Sequence, residues 1–225
     1  MKYHVSFDLD FKRNEGKGLY IAFEGIDGSG KTTQVERLKE YFKSKGIAVV
    51  TTREPRKEGL IGDLVHKVLK GDVMFPSVAL QYLFSTDRVL NHEEVILPAL
   101  NAGKTVISDR SLWSAPVYGI LDKGEISDNS GEDQLLVTQS ILSMYHQFTI
   151  PDFTFFLRIP VQASLERLRQ KEDTKEIYET KEKIETVSRL YDTLLERFKD
   201  EIIVIDGMLP AEEITNQIVK IIEKK

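Results

Sequence analysis

The sequence predicts an α/β domain in which five parallel strands form one sheet with helices on both faces. Three observations carry this. Apolar runs at 19–23 (LYIAF), 47–52 (IAVVTT), 105–108 (TVIS), 153–157 (FTFFL) and 202–205 (IIVI) are short, nearly unbroken, and rich in β-branched and aromatic residues. That is the pattern of strands buried on both faces. Helical stretches separate the runs, so successive strands need right-handed crossovers and lie parallel. No internal repeat or linker divides the chain, and 225 residues suit one domain with a substantial core.

Taken in order, residues 1–18 form an extension whose Tyr3, Val5, Phe7, Leu9 and Phe11 alternate with polar residues. This is the pattern of a half-exposed strand, and an extra edge strand is expected. The domain proper runs from 19 to 225. Its helices are predicted at about 32–45, 60–70, 77–101, 132–147, 161–171, 180–199 and 211–224, several ending at or just before a glycine (Gly46, Gly71, Gly103).

Composition excludes several classes. The 31 Lys and Arg against 36 Asp and Glu leave a net charge of −5, which speaks against a general nucleic-acid or membrane-surface binder. The lack of cysteine excludes disulfides, thiolate metal sites and thiol catalysis. No apolar run approaches the roughly 18 residues of a membrane helix. The extension, with its acids and no continuous apolar core, reads as neither a secretory signal nor a transit peptide. A cytoplasmic protein is expected.

The chemistry begins at the first strand. Gly25, four residues, then Gly30, Lys31 and Thr32 match G-x-x-x-x-G-K-[ST], placed between a buried strand and a helix. Backbone N–H groups and the helix N-terminus converge there on phosphates, so the whole loop is read as the ATP site: Gly25, Ile26, Asp27, Gly28, Ser29, Gly30, Lys31, Thr32 and Thr33. Lys31 is expected at the β- and γ-phosphates and the Thr32 hydroxyl on Mg²⁺. A nucleotide-binding P-loop fold follows.

Three later stretches bear on the acceptor. Arg53 in "TTREP" follows the second strand and faces the crevice at the carboxyl ends of the sheet. Phe84 and Arg88 stand four apart on the 77–101 helix and share a face, where a ring and a guanidinium suit a flat base. Asp109 and Arg110 end the third strand, where an acid suits Mg²⁺ and an arginine suits a phosphate.

Together these residues resemble the thymidylate kinases, which transfer the γ-phosphate of ATP to dTMP. The likeness runs from about Leu19 to the C-terminus and rests on "FEGIDGSGKTTQ", "REP", "LFSTDRVLNHEEVILPAL" and the Asp109–Arg110 pair. The resemblance implies that Phe84 stacks on thymine and Arg88 reaches the base edge. It also implies that Arg53 and Arg110 hold the dTMP phosphate, that Asp27 lies by the acceptor sugar and phosphate, and that Ser114 and Tyr118 line the nucleoside pocket. A homodimer is implied likewise.

One subgroup of the family carries a catalytic arginine within the phosphate loop. The other has glycine there and draws the arginine from a lid. Gly28 puts this chain with the second, with a lid at about 167–179 and Arg169 favoured over Arg167 as the catalytic arginine beside Lys31, Arg110 and Asp27. Lys171 and Lys175 complete the lid's cations. Ser111 stands where the family usually has tyrosine, and "REPRKEGL" replaces a usual Gly-Gly turn. Two other readings remain open. One is a deoxynucleoside kinase, in which Glu54 serves as the base for a 5′-hydroxyl. The other is a nucleotide-binding protein without transfer activity.

Overall fold

The computed structural model describes residues 10–123, 130–170 and 176–224, with 130–135 as backbone alone. Five parallel strands stand in the order β2-β3-β1-β4-β5: β1 (Tyr20–Glu24), β2 (Val49–Arg53), β3 (Thr105–Asp109), β4 (Phe153–Arg158) and β5 (Ile202–Asp206). The five apolar runs are these strands, each displaced by no more than two residues. The inner strands β1, β3 and β4 are buried almost throughout. The edge strands β2 and β5 are buried only in part, because each has a neighbour on one side.

Alternation along the strands divides the core in two. On one face Ile21, Phe23, Ile107, Phe155 and Leu157 meet α1 (Lys31–Ser44) and α9 (Ala211–Ile222) through Val35, Leu38, Phe42, Ile214 and Ile218. On the other face Phe156 lies in a cluster with α5 (Ser114–Lys123), α6 (Ser130–Ser143) and α8 (Lys181–Arg197), centred on Trp113, Tyr145 and Tyr191. α2 (Leu60–Leu69) packs on α3 (Ser77–Asn91) and α3 on α5, both bordering a crevice with Arg53 at the end of β2, and α7 (Val161–Arg169) follows β4.

The predicted helix at 77–101 is continuous but not uniform. A π-helical turn at His92–Ile96 separates α3 from α4 (Leu97–Asn101), and the Leu97 N–H reaches back five residues to the His92 carbonyl. Pro98 lacks the N–H that a regular turn requires, and the widened turn stands just ahead of it. α5 falls where no helix is predicted, since Pro116 and Gly119 interrupt its pattern.

Of the expected N-terminal strand, Tyr3, Val5, Phe7 and Leu9 lie outside the described residues. Lys12 makes one isolated parallel bridge with Thr149, and the Phe11 ring lies 5.6 Å from that of Trp113. Among the described residues no helix is long and apolar enough to cross a membrane.

Candidate active site

β1 occupies the centre of the sheet, so the loop it feeds opens at the middle of the carboxyl edge. Gly28 has φ 76°, and a Cβ there would lie 3.1 Å from the Ser164 carbonyl oxygen. Glycine alone meets both conditions without strain. The Lys31 Nζ donates to the carbonyls of Gly25 (3.0 Å) and Ile26 (3.1 Å), folded back into its own loop. Burial strips water from this ammonium and Arg110 repels it, so its pKa is lowered to about 8.

Thr32 Oγ1 donates to Asp109 Oδ2 at 2.6 Å, bringing two hard oxygen ligands together at the strand ends. That donor set suits Mg²⁺, which keeps several waters and takes few protein ligands. A cavity of about 440 Å³ runs from this loop past Asp109, Arg110 and Arg167 to the chain at 207–211.

A second cavity adjoins the first, and Asp27, Arg53 and Arg110 line both. Arg110 is the best supported of the three. Its Nη2 donates to Asp27 Oδ1 (2.6 Å), its Nη1 to Ser114 Oγ (3.2 Å) and Tyr191 Oη (3.1 Å), and its guanidinium lies 5.0 Å from the centre of the Tyr118 ring. Its backbone holds φ 74°, a left-handed conformation that a non-glycine residue keeps only where its surroundings impose it. Arg53 ends β2, and its buried Nε has no hydrogen-bond partner among the described residues.

The far wall carries Phe84 and Arg88, on one face of α3 as their spacing predicts. Arg88 is buried. Its Nε donates to Glu54 Oε2 and its Nη1 to Tyr145 Oη (2.7 Å), with the guanidinium 5.0 Å above the Tyr145 ring. Glu54 also accepts from Asn91 Nδ2 at 3.3 Å. A charge taken this far from water persists only when paired and hydrogen-bonded. Asp87 secures the loop that departs from the usual Gly-Gly turn, accepting from the Arg56 backbone N–H (2.8 Å) and from Arg56 Nε (3.1 Å).

The geometry is thus a phosphate loop joined through arginines to a pocket lined by Phe84, Tyr118 and Tyr178. Residues 23–218 match the family model for thymidylate kinase. Thymidylate kinases from Sulfurihydrogenibium sp. (strain YO3AOP1) and Leptospira borgpetersenii are 34% and 33% identical to this chain, covering 92% and 91% of it and 98% and 93% of their own lengths. The solved thymidylate kinase of Candida albicans superposes with a TM-score of 0.74 at 25% identity, covering 92% of each chain. The chain belongs to the thymidylate kinase family.

A thymidylate kinase site needs more residues than its motifs announce. Glu24 is fully buried beneath Arg110 and accepts from the Ser111 N–H (2.8 Å), Ser111 Oγ (2.9 Å), Ser114 Oγ (2.6 Å) and Tyr191 Oη (2.9 Å). Its signal was available, because an acid closing a buried strand inside a motif rarely lacks a partner. Ser111, in place of the family's usual tyrosine, is one of those partners and is itself buried. Ser114 and Tyr118 line the second cavity, Ser114 also bracing Arg110. Tyr145 and Tyr191 gave no signal, because nothing local to either sequence marks it.

The segment expected to form a lid, about 167–179, is described only in part. Lys171 and Lys175 lie outside the described residues. Arg169, expected as the catalytic arginine, is exposed at the end of α7 and lines neither cavity. Arg167 does line the first cavity, and its Nη1 donates to the Gly28 carbonyl at 3.1 Å. Two residues along a helix turn the side chain by about 200°, so only one of the pair faces the loop.

Proposed function

We infer that the chain transfers the γ-phosphate of ATP to dTMP, giving dTDP and ADP, as its family does. The observation that carries this is the pair of adjoining cavities that share Asp27, Arg53 and Arg110, one ending at the phosphate loop and the other at Phe84 and Arg88. On this reading Lys31 leaves the carbonyls of Gly25 and Ile26 for the β- and γ-phosphates. Arg53 turns its unpartnered Nε, and Arg110 its fixed guanidinium, to the acceptor phosphate. Phe84 stacks on the base, Arg88 donates to its edge, and Ser114 and Tyr118 bound the sugar side.

An oxygen of the dTMP phosphate, already ionised near pH 7, forms the new bond to the γ-phosphorus. The bond from that phosphorus to the β-bridging oxygen breaks, and ADP leaves. No proton has to be removed from the nucleophile, so positioning and charge neutralisation carry the catalysis. Thr32 and Asp109 would hold Mg²⁺, which when bound neutralises phosphate charge. Asp27 keeps Arg110 in place through its 2.6 Å bond. Arg167, rather than Arg169, supplies a lid-side cation to the donor.

Glu54 does not favour the nucleoside kinase reading. Its carboxylate is paired with Arg88, which hydrogen-bonds one oxygen while Asn91 bonds the other, so it serves to hold the guanidinium read as reaching the base. The non-catalytic reading is countered by the complete Lys31, Thr32 and Asp109 set. As an enzyme of free nucleotides the protein is read as cytoplasmic. A homodimer is proposed through α3, whose outward side exposes Val78, Tyr82 and Val89, and Tyr82→Lys should give monomers in sedimentation.

A coupled assay of ADP release with Mg-ATP and a panel of dTMP, dUMP, other monophosphates, thymidine and deoxycytidine tests the activity. Turnover of dTMP without thymidine is expected. Release with nucleosides alone would replace this reading with the nucleoside kinase, and nucleotide binding without any turnover would leave a binding module.

A further inference from the structure

On α3, Gln81 precedes Phe84 by three residues and Arg88 by seven, so all three share one helical face and line the acceptor cavity. Unlike the other two, Gln81 belongs to no phosphate-transfer motif, yet its side chain is held in one orientation. Its Nε2 donates to Asp122 Oδ2 on α5 at 3.1 Å, and the second Asp122 oxygen accepts from Tyr178 Oη at 2.6 Å. An ionised carboxylate only accepts, so Asp122 takes the nitrogen end of the carboxamide and leaves the oxygen end, beside Gly119, free to accept. Among the described residues Gln81 Oε1 accepts no hydrogen bond, nor does it count among the buried polar atoms that lack one.

The room for this carboxamide comes from the opposite helix. A Cβ on Gly119 would stand 3.0 Å from Gln81 Oε1 and 2.2 Å from Ile141 Cδ1. Any other residue at 119 would require the Ile141 side chain and the Gln81 amide to give way. The cavity wall therefore presents two fixed groups of opposite character: Arg88, which can only donate, and Gln81 Oε1, which can only accept.

We propose that Gln81 is a specificity-determining residue whose Oε1 accepts the ring N3–H of the acceptor base while Arg88 donates to a ring carbonyl. The proposal rests on the dTMP reading above and deepens it. Thymine, in its keto form, offers a carbonyl beside an N–H on this edge. Cytosine offers an amino group beside a bare ring nitrogen, so it would set donor against donor at Arg88 and lone pair against lone pair at Gln81. A site built to hydrogen-bond its substrate rejects an analogue that leaves its polar groups unpaired.

The test compares dTMP with dCMP in wild type, Gln81→Leu and the volume-conserving Gln81→Met. It reads kcat/KM for each acceptor, KM for ATP, the dissociation constants of both monophosphates by calorimetry, and Tm as a check of folding. We expect kcat/KM for dTMP to fall about tenfold, the dTMP-to-dCMP preference to narrow by a similar factor, and KM for ATP to stay within about twofold. An unchanged preference in either folded variant would overturn the proposal, as would equal losses on both acceptors. Wild type that ignores dTMP altogether would instead refute the activity on which the proposal rests, so the two failures are distinguishable.

Discussion

Lys31 gives the most quantitative forecast. Burial and repulsion by Arg110 lower the pKa of its ammonium to about 8 from the usual 10.5. Bound phosphates surround the same ammonium with negative charge, so in the nucleotide complex it stays protonated well above pH 8. The sign follows. Below pH 8 the free protein already carries the charge; above pH 8 binding must take up a proton from an increasingly basic solution. The apparent dissociation constant then scales as one plus ten to the power of pH minus 8. Between pH 7 and pH 9 the weakening is about tenfold, ~1.4 kcal/mol. Calorimetric titration with a non-hydrolysable ATP analogue and Mg²⁺ measures it directly. Repeated near pH 8 in buffers of different ionisation enthalpy, the same titration should report uptake of about half a proton per nucleotide. Lys31→Arg, which keeps its charge throughout, should bind with little pH dependence. An affinity constant from pH 7 to 9, with no proton uptake, would refute either the depressed pKa or the role of Lys31 at the phosphates.

Arg88→Ala should raise KM for dTMP more than tenfold while moving KM for ATP less than twofold, and equal effects would sink its assignment to the base. The same change strands Glu54 in the core and should cost about 3–5 kcal/mol of stability, seen in denaturant unfolding and partly recovered by adding Glu54→Gln. Arg167→Ala should raise KM for ATP about fivefold or more while Arg169→Ala stays within twofold, since only Arg167 touches the phosphate loop; steady-state kinetics that reverse this order would return the catalytic role to Arg169. Gly28→Ala forces a side chain to φ 76° against the Ser164 carbonyl and should cost about 1–2 kcal/mol, a fall in Tm of a few degrees with weaker nucleotide binding. An unchanged Tm would show that the loop relaxes freely.

The sheet was legible because each buried strand announces itself locally. The runs at 19–23, 105–108 and 153–157 are nearly all apolar because both faces of their strands are covered. α5 was not legible, for Pro116 and Gly119 weaken its helical signal while Trp113, Val117 and Ile141 supply the packing that overrides them. The lid shows the same limit at the level of single residues. From sequence alone Arg167 and Arg169 are interchangeable cations, and only the direction of α7 relative to Gly28 separates them.

The sequence by itself determined that this chain carries the phosphate loop of a nucleoside triphosphate site. A phosphate loop is built from eight contiguous residues whose backbone does the binding, so its chemistry survives translation into a string of letters. The motif letters also assigned the family and hence the acceptor class. Tertiary structure decided how the acceptor pocket is held. Arg88 rests on Glu54 and Tyr145, Arg110 on Asp27, Ser114 and Tyr191, and Gln81 on Asp122. Nearly all of these partners come from other elements of the fold. A buried charge or amide must find its complement somewhere, and only the packing of helices on the sheet determines where.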